Sequence, residues 1–382
     1  MKCDNIFSYI DALSDEYIKF WIDSCNIESP TEFKEGVDNC GKLFIDKARE
    51  LGFDVDIHKE EISGDAVCIT MNGTSSLAPV VFSGHLDTVH PIGVFGNPPT
   101  RCDEENIYGP GVIDCKGGCV AGLLAMAALQ KAGFTSRPVK LILQSDEENG
   151  SRNSKKRTVD FMCEKSKGAV AFLNCEGHHE GEVILIRKGI LKYSFEITGK
   201  AVHSSKCYEG ASAIAEAARK ITELEKLKDP KGLTCNCGLI SGGSAENTVP
   251  EKCSFTADIR FATQEEAEAA KALVKELSDN SFIDGTSCKA TLVSYRVAME
   301  KSEKNFLLLD NINEIFRENN LPELSPKSGN GGSDASDVSK AGIPAIDSLG
   351  VEGGNIHSIN EYARLTSLAE SAKRLATVAY CI

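Results

Sequence analysis

Short apolar runs without polar interruptions alternate with helical patterns in the first half of this chain and again near its end. The runs lie in the segments APVVFSGH, PVKLILQSDEE, GAVAFLNCEG and IPAIDSLG, and the helical stretch GGCVAGLLAMAALQKAGF follows the first of them. A strand that is apolar on both faces has to be covered on both faces, which is typical of parallel strands flanked by helices. The sequence therefore predicts an α/β domain.

A different pattern occupies the middle of the chain. Three segments alternate apolar and polar residues, as half-buried strands do, and two stretches between them have helical periodicity: LKYSFEITG, SAIAEAARKITELEKL, CSFTADIRF, TQEEAEAAKALVKELSDN and CKATLVSYRV. Thr263 and Glu266 have the spacing of a capping box at the start of the second helix. We therefore predict a small ferredoxin-like α+β domain over residues 187–298, inserted into a larger domain formed by residues 1–186 and 299–382.

Length, charge and cysteine content narrow the class of protein. The chain has 382 residues, more than one hydrophobic core usually holds, and a formal net charge of -14, which leaves no broad basic surface for nucleic acid. Its first residues, MKCDNIFSYIDALSDEYIKF, lack the pattern of a signal peptide, and no stretch reaches the roughly 20 apolar residues of a membrane span. We predict a cytoplasmic protein without a nucleic-acid or membrane partner. Its 15 cysteines are expected to be reduced thiols, with no structural zinc at Cys235 and Cys237.

Each apolar run of the larger domain leads to residues that bind protons or metal ions. These residues are His85 and Asp87 after the first run, Glu147 and Glu148 after the second, Glu176 after the third, and His357 one loop after the fourth. Asp114 in GPGVIDCKGG adds a further carboxylate. Because ligands bind in the crevice at the carboxyl ends of parallel strands, these side chains are expected to converge. The alternative is that each is an ordinary solvated loop residue, which is the more common role of any one of them taken alone.

A divalent cation would resolve the electrostatic problem that this convergence creates. Several carboxylates in one crevice would otherwise have to take up protons or would cost several kcal/mol each. Carboxylate and imidazole ligands without a matching thiolate suit zinc, cobalt or manganese better than calcium. Two histidines and three carboxylates provide each of two ions with one histidine and one carboxylate, and the third carboxylate can bridge the ions. Glu147 then lies outside the ligand set and can act as a base.

Seven motifs, taken in order, resemble those of a known family. They are SGHLDTV, YGPGVIDCKGG, SDEENGS, GKAVHSS, NTVPEKCSFTADIR, GGSDASD and HSINEY, and together they span nearly the whole chain. The family is that of the co-catalytic zinc metallopeptidases, which includes carboxypeptidase G, aminoacylase, acetylornithine deacetylase, succinyl-diaminopimelate desuccinylase and peptidase T. The motif spacing is most similar to that of carboxypeptidase G. The resemblance implies a zinc-exopeptidase-like mixed sheet flanked by helices, with the ferredoxin-like insertion as a dimerisation domain.

The resemblance also implies roles for the residues that follow the strands. It implies two zinc sites. One is formed by His85, Asp114 and Glu176, and the other by Asp114, Glu148 and His357, so that Asp114 bridges the two ions. Glu147 matches the catalytic base, which takes a proton from a metal-activated water and passes it to the leaving nitrogen. Asp87 matches the carboxylate that receives the second N–H of the His85 ring. The peptide bond between Asp114 and Cys115 matches a cis bond of the family.

The remaining motifs lie in or near the predicted small domain. His203 matches a histidine that stabilises the oxyanion in the neighbouring subunit's site, which implies a homodimer. Asn247 and Arg260 match residues that bind the free carboxylate of the substrate, and a planar guanidinium suits that task. The flexible loop that would line the pocket contains Gly331, Gly332 and Ser333. From local sequence alone, the histidine could equally end a strand, the arginine could lie on a solvated strand face, and the loop could be a simple turn.

Two departures from the family bear on specificity and on the ligand set. Relatives that prefer a C-terminal glutamate carry a lysine shortly after the third metal carboxylate, whereas this chain has EGHHEGEV there, so glutamate specificity is not predicted. His178 and His179 add imidazoles to the same segment, and we predict both as surface residues of a loop. His58 and His90 lack partners at ligand spacing and are predicted to lie in solvent or behind the ligands.

The predicted function is hydrolysis of a terminal amide bond next to a free carboxylate, as in a carboxypeptidase or dipeptidase, with two zinc ions or with cobalt or manganese. An N-acyl amino acid deacylase acting on acetyl or succinyl groups would use the same residues and would differ in the shape of its pocket. A non-catalytic metal-binding relative is disfavoured because the base, the ligands and the oxyanion histidine are all present. A one-metal aminopeptidase without a dimerisation domain conflicts with the inserted α+β unit.

Overall fold

The structure, a computed structural model, describes residues 3–177 and 179–382, which form two compact units. The first unit contains the chain up to Ile186 together with Lys301–Ser328 and Ser333–Ile382. The second unit contains Arg187–Glu300 and the short segment Gly329–Gly332. The roles predicted for the two parts of the chain, catalysis and dimerisation, stay predictions.

The helices of the described residues are numbered in chain order. They are α1 (Asp4–Asn26), α2 (Lys34–Glu50), α3 (Lys116–Lys131), α4 (Arg157–Lys165), α5 (Ala213–Leu224), α6 (Gln264–Asp279), α7 (Glu303–Glu318), α8 (Ala335–Lys340) and α9 (Ser367–Cys381). A short 3-10 helix covers Ser204–Glu209. Among residues 3–177 and 179–382, no helix combines the length and the apolar character needed to cross a bilayer.

The strands of the described residues fall into four sheets. In chain order the strands are β1 (Asp54–His58), β2 (Ala66–Met71), β3 (Val80–His85), β4 (Arg101–Cys102), β5 (Asn106–Tyr108), β6 (Val139–Gln144), β7 (Ala171–Asn174), β8 (Glu182–Arg187), β9 (Gly189–Thr198), β10 (Thr234–Gly242), β11 (Lys252–Phe261), β12 (Ser287–Arg296), β13 (Ser325–Gly329), β14 (Ala345–Ile346), β15 (Gly353–Gly354) and β16 (Tyr362–Arg364). The main sheet has the order β1-β2-β6-β3-β7-β14, and the sheet of the second unit has the order β10-β11-β9-β12. The smaller sheets are β13-β8 and β15-β16-β5-β4.

The main sheet is mixed. Strand β3 runs parallel to both β6 and β7, and β7 runs parallel to β14, whereas β2 pairs antiparallel with β1 and with β6. Every residue of β3 and β7 is buried, as the continuous apolar runs predict for strands covered on both faces. The predicted fold class, a mixed sheet flanked by helices with a ferredoxin-like insertion, is confirmed.

Helix α3 is buried along nearly its whole length, from Lys116 to Leu129. It packs against β3, β6, α1 and α9. A helix that is apolar all round needs neighbours all round, and the small residues of GGCVAGLLAMAALQ let those neighbours come close. The start of the helix, which follows Asp114 and Cys115, is therefore held firmly against the sheet.

The second unit has the element order β-α-β-β-α-β and an antiparallel sheet, which is the ferredoxin-like arrangement that the sequence predicts. Its core contains Phe195 and Phe255, whose rings stack with centroids 4.4 Å apart. The predicted capping box of α6 is confirmed, because the Thr263 hydroxyl accepts the N–H of Glu266 and the Glu266 carboxylate accepts the N–H of Thr263. These patterns are local in sequence, which is why they could be predicted.

A close approach between α3 and the segment after β7 fixes part of the first unit. A Cβ atom placed on Gly118 would lie 1.9 Å from the main-chain oxygen of Cys175. That oxygen belongs to buried backbone, which cannot move aside without disturbing the sheet. Gly118 therefore lets the helix that follows Asp114 touch the residue that precedes Glu176.

Gly118→Ala is expected to lower the free energy of unfolding by about 1–3 kcal/mol, because overpacking against buried backbone pushes α3 away from the sheet. The matched control is Gly41→Ala in α2, where a Cβ would meet only ordinary contacts at 3.5 Å or more. That change should be neutral or stabilising by up to about 1 kcal/mol. Urea unfolding measures both, and equal stability of the two variants would contradict the close approach.

Candidate metal centre

The carboxyl edge of the main sheet gathers the polar side chains that follow its strands. Parallel strands end at the same edge, so residues just after β3, β6 and β7 meet there although they lie far apart in the chain. The loop that leads into α3 and the loop between β15 and β16 supply two more side chains, those of Asp114 and His357, to this edge. The predicted ligands and base that the first unit brings together are His85, Asp114, Glu147, Glu148, Glu176 and His357.

The carboxylate of Asp114 lies between two histidines and faces each with a different oxygen. Its Oδ1 is 3.0 Å from Nε2 of His85, and its Oδ2 is 3.1 Å from Nε2 of His357. Each histidine also faces a glutamate. Nε2 of His85 is 3.6 Å from Oε1 of Glu176. Nε2 of His357 is 3.3 Å from Oε2 of Glu148. Grouped as the resemblance implies, the five side chains form two donor sets of three that share Asp114, and ligand atoms of His85, Asp114 and Glu148 also lie within 4.8 Å of one another.

These separations fit metal coordination. In a tetrahedral zinc site with bonds of about 2.0–2.1 Å, neighbouring ligand atoms lie about 3.3 Å apart. The four distances within the two donor sets range from 3.0 to 3.6 Å. Imidazole nitrogen and carboxylate oxygen together suit zinc, cobalt or manganese. The residues therefore fit one ion in each donor set.

The thiol of Cys115 also lies close to His85 and Glu176 and could be grouped with them as a ligand. Its sulfur accepts the backbone N–H of His85 at 3.4 Å and donates to the main-chain oxygen of Cys175 at 3.5 Å. Burial raises the pKa of this thiol well above its usual value. A sulfur that is engaged with two main-chain groups is less available as a ligand, so Asp114 is the better third donor. The peptide bond between Asp114 and Cys115 is cis, as predicted.

Burial and mutual repulsion hold protons on the glutamates of the site. Burial raises the pKa of Glu176 to about 8, and the charges of Asp114 and Glu147 act in the same direction. Burial likewise raises the pKa of Glu148 to about 8, with a further contribution from Asp114. Carboxyl groups with such pKa values indicate more negative charge in one buried place than protein groups alone can stabilise.

The pKa values of the two histidines are raised as well, whereas that of the shared aspartate is lowered. Hydrogen bonds to Asp114 and Glu148 raise the pKa of His357 to about 10. Burial by itself lowers the pKa of His85, but the surrounding acidic groups outweigh it and raise that pKa well above its usual value. Burial by itself raises the pKa of Asp114, but hydrogen bonds from the two histidines outweigh it and lower that pKa. Protons thus balance the buried charge, and divalent cations would balance it more directly.

Asp87 holds the turn that carries Glu147 and Glu148. Its buried carboxylate accepts the backbone N–H of Glu147 on Oδ1 and that of Glu148 on Oδ2, both at 3.1 Å. The hydroxyl of Thr31 donates to Oδ2 at 2.8 Å. Hydrogen bonds to a charged acceptor are stronger than neutral ones, so the turn after β6 is tied firmly to the segment after β3.

The ring of His85 is oriented by Asp87, which faces Nδ1 with both its main-chain oxygen and its carboxylate. Nδ1 of His85 lies 3.0 Å from the main-chain oxygen of Asp87 and 3.4 Å from Oδ1 of its carboxylate. The main-chain oxygen is the closer acceptor, because the carboxylate is directed to the N–H groups of the 147–148 turn. Either contact favours the proton on Nδ1 and leaves Nε2 facing Asp114.

Glu147 is buried and directly precedes Glu148 in the chain. Its charge contributes to the raised pKa of Glu148 and to that of Glu176, so its carboxyl lies near both glutamates. Its N–H donates to Asp87, and its main-chain oxygen accepts the N–H of Gly150 at 2.8 Å. The backbone of Glu147 is therefore held on both sides of its side chain, which is compatible with the predicted role of a positioned base.

In the second unit, the segments that carry His203 and Asn247 lie side by side. The main-chain oxygen of Asn247 accepts the N–H of Ser204 at 2.9 Å, and His203 forms a β-bridge with Thr248. Nδ1 of His203 accepts the N–H of Ser205 at 3.3 Å. In a neutral ring this places the proton on Nε2, which can then donate a hydrogen bond.

Arg260 lies on β11, and its guanidinium is already engaged. Its Nε and Nη2 donate to the two carboxylate oxygens of Asp258 at 2.6 and 3.0 Å. Its Nη1 donates to the main-chain oxygen of Asn330 at 3.3 Å, and Arg187 donates to that of Gly331 at 3.2 Å. A substrate carboxylate at Arg260 would have to share the guanidinium with Asp258 or displace it, which the sequence could not show.

The predicted pocket loop is divided between the two units. A Cβ atom on Gly332 would lie 2.4 Å from Cδ of Arg296, so this position needs a glycine for close approach. Ser333 belongs to the first unit and is buried. Its hydroxyl accepts hydrogen bonds from the amide of Asn174 at 3.1 Å and from the N–H of Ala335 at 3.3 Å. A contact between Ser333 and substrate stays a prediction.

The histidines that were not predicted as metal ligands differ in their exposure and contacts. His179 is exposed, as predicted, while His178 lies outside the described residues. His58 is half-buried, with Nε2 3.0 Å from Oε1 of Glu60 and its ring stacked on Phe161 at 5.3 Å. None of these contacts ties His58 to the candidate metal centre.

Sequence reasoning missed two buried side chains that anchor the loop before α3. Nζ of Lys116 donates to the main-chain oxygens of Ser24 and Ile27 at 3.2 and 2.7 Å, near the end of α1. Nε1 of Trp21 donates to the main-chain oxygen of Val112 at 3.1 Å. A cation at the C-terminal end of a helix is favourable, but the motif containing Lys116 does not reveal which helix it meets.

Comparison with known proteins identifies the family. Residues 81–380 match the family described as peptidase family M20/M25/M40, which covers most of the chain. The chain belongs to this family, and the predicted resemblance is confirmed. It is therefore a metal-dependent hydrolase that acts on amide or peptide bonds.

Curated relatives align over most of their lengths. Carboxypeptidase G2 of Pseudomonas sp. (strain RS-16) is 28% identical over 378 residues, which cover 96% of this chain and 89% of the relative. A succinyl-diaminopimelate desuccinylase of Nitrosospira multiformis is 26% identical over 369 residues, which cover 89% of this chain and 91% of the relative. Proteins named as peptidases and proteins named as deacylases thus have similar sequences within this family.

Solved structures support the fold. The aminopeptidase PepT of Bacillus cereus superposes with a TM-score of 0.77 at 21% identity, covering 96% of this chain and 98% of that chain. The dipeptidase Dug1p of Saccharomyces cerevisiae superposes with a TM-score of 0.72 at 15% identity, covering 100% of this chain and 99% of that chain. At these identities the likeness concerns the fold alone.

Asp87→Ala is expected to weaken zinc binding and turnover about 10–100-fold, because the turn that carries Glu147 and Glu148 loses its acceptor. Competition with a chromophoric chelator measures the affinity, and initial rates measure kcat. Thr31→Val is the control, since it removes one donor to Asp87 and leaves both contacts to the turn in place. Equal losses in the two variants, or no loss in Asp87→Ala, would contradict this role of Asp87.

Proposed function

We propose that this chain is a dinuclear-metal exopeptidase that cleaves a terminal amide bond next to a free carboxylate, as a carboxypeptidase or dipeptidase does. The observation that carries the proposal is the position of Asp114 between two histidines, each of which faces its own glutamate. Two donor sets with one shared carboxylate suit two ions. Zinc is the expected cofactor, and cobalt or manganese could replace it.

The proposed mechanism assigns proton transfer to Glu147. Bound cations would supply Lewis-acid chemistry, by polarising the scissile carbonyl and making water more acidic. Glu147 takes a proton from the attacking water and delivers it to the amide nitrogen as the C–N bond breaks. One water is consumed, and a carboxylate and an amine are released. The burial of Glu147 and the effect of its charge on the pKa of Glu148 and of Glu176 support this role.

Residues of the second unit are proposed to bind and orient the substrate. Arg260 offers a planar guanidinium to the terminal carboxylate, with Asp258 as an internal competitor. His203 offers its Nε2–H to the oxyanion, and the neighbouring Asn247 contributes to carboxylate binding. The pocket would be lined by Gly331, Gly332 and Ser333.

We further propose that the chain acts as a homodimer in the cytoplasm, with His203 contributing to the partner's site. Both edge strands of the second unit carry exposed apolar side chains, Leu239 and Ile240 on β10 and Leu292 and Val293 on β12. Such edges are usually covered by another chain. No cysteine of the described residues is in a disulfide, which supports a reducing compartment.

The alternative is an N-acyl amino acid deacylase. Relatives of the chain are named as a carboxypeptidase, as desuccinylases and as a deacetylase. Both activities would use the same cations, the same base and the same carboxylate site, and they differ in the group on the other side of the scissile bond. The acidic segment EGHHEGEV, which begins at Glu176, disfavours a C-terminal glutamate as the preferred product.

Glu147→Gln is expected to bind as many ions as the wild type, while kcat falls about 10²–10⁴-fold because the general base is lost. Metal analysis of the purified protein and initial rates measure the two effects. Glu104→Gln, which makes the same change at an exposed position, should alter neither. Substantial turnover in Glu147→Gln with its ions bound would refute the assignment of the base.

A substrate panel tests the reaction and the carboxylate site together. Dipeptides with a free C-terminus should be cleaved with a kcat/KM about 10-fold or more above that of the same dipeptides as C-terminal amides, because a guanidinium binds a carboxylate strongly. Arg260→Ala should abolish the difference, mainly through KM, and Asp258→Asn should lower KM by removing the competitor.

The panel also separates the two candidate activities. Zinc, cobalt and manganese are each supplied after chelation, and N-acetyl and N-succinyl amino acids are tested beside the dipeptides. Preference for the acylated amino acids would favour the deacylase over the peptidase. Equal cleavage of free and amidated substrates by the wild type would exclude a role for Arg260 in carboxylate binding.

A further inference from the structure

A buried carboxylate outside the two donor sets contacts the main chain of the shared aspartate. Glu361 is 1% exposed, and its Oε1 accepts the N–H of Ile113 at 3.1 Å and that of Asp114 at 3.2 Å. Its main-chain oxygen accepts the N–H of Gly109 at 3.3 Å. Glu361 therefore holds the loop that leads into α3 at both of its ends.

The other oxygen of Glu361 meets His90, one of the histidines that the sequence left without a partner. Nε2 of His90 is 2.9 Å from Oε2 of Glu361. His90 is 7% exposed, and its ring meets that of Phe95 edge-on with centroids 4.8 Å apart. A ring N–H that donates to Oε2 satisfies that oxygen and leaves Oε1 to the two main-chain donors.

Glu361 thereby joins three segments that each carry part of the candidate metal centre. It lies in the same loop as His357, between β15 and β16. Its partner His90 lies in the segment after β3 that also contains Asp87, and its main-chain contacts lie in the loop that contains Asp114. A displacement of Glu361 would therefore move the shared aspartate and one of its histidines together.

We propose that Glu361, held by His90, is a positioning residue for both candidate ions, an inference that rests on the proposed dinuclear function. A bridging carboxylate uses both of its oxygens, so it tolerates little rotation of its main chain. The two N–H contacts to Oε1 restrain that rotation at Asp114 and at the residue before it. A charged acceptor makes them stronger than ordinary main-chain hydrogen bonds.

The test compares Glu361→Ala with a matched control, Glu216→Ala, in the full chain. Glu216 is also a fully buried carboxylate that accepts two successive main-chain N–H groups, those of Phe282 and Ile283, but it lies in the second unit. Both variants lose a buried acceptor, so both should unfold more easily. Glu361→Ala alone is expected to bind Zn²⁺ about 10–100-fold more weakly, measured on the metal-free protein by competition with a chromophoric chelator.

Two milder variants keep the test decisive if Glu361→Ala fails to fold. Glu361→Gln keeps an oxygen for the two N–H groups and should retain nearly the wild-type affinity for Zn²⁺. His90→Phe keeps a ring against Phe95 but removes the N–H, and its affinity should fall below that of Glu361→Gln.

Turnover supplies a readout that a merely structural role would not move. In Glu361→Ala, or in His90→Phe if that is the variant that folds, kcat should be low at limiting Zn²⁺ and should recover at excess Zn²⁺, with KM for the substrate unchanged. Unchanged affinity in these variants, or an equal loss in Glu216→Ala, would overturn the positioning role. A wild-type chain that takes up fewer than two ions would instead overturn the dinuclear function, so the two failures are distinguishable.

Discussion

Repulsion among carboxylates that share one buried crevice is the main electrostatic constraint on the structure of the first unit. Asp114 lies within reach of both histidines, Glu176 of His85 and Glu148 of His357, and burial by itself would raise the pKa of all three acids. Their arrangement is tolerable because each acid faces a histidine and because divalent cations can take the place of the protons. The strand ends, the start of α3 and the close approach at Gly118 all meet at this point, so a small shift in any of them changes the distances between donors.

A second group of buried carboxylates binds main chain in place of ions. Asp87 accepts the two N–H groups of the 147–148 turn, and Glu361 accepts those of residues 113–114. In both cases one charged acceptor fixes two successive residues of a loop that carries a candidate ligand. Buried N–H groups have few other partners available, which makes such anchors rigid. The donor geometry therefore depends on main-chain hydrogen bonds as well as on strand positions.

Much of the fold and most of the donor residues could be predicted because they follow from local patterns. Continuous apolar runs predicted β3, β6 and β7, and parallel pairing then brings the polar residues after each strand to one edge. The anchors of the site could not be predicted in this way. Glu361 and His90 lie in segments separated by most of the chain, and the engagement of Arg260 by Asp258 depends on side-chain directions that spacing does not encode.

The sequence by itself determined which elements form and which residue types stand at their ends, because hydrophobic periodicity and capping act over a few neighbouring residues. Only the tertiary structure decided that Asp114 divides its oxygens between His85 and His357. It also decided that Nδ1 of His85 lies closer to the main-chain oxygen of Asp87 than to its carboxylate. Contacts of this kind join segments that are distant in the chain, and their lengths follow from how helices and sheet pack against one another, which the order of residues does not specify.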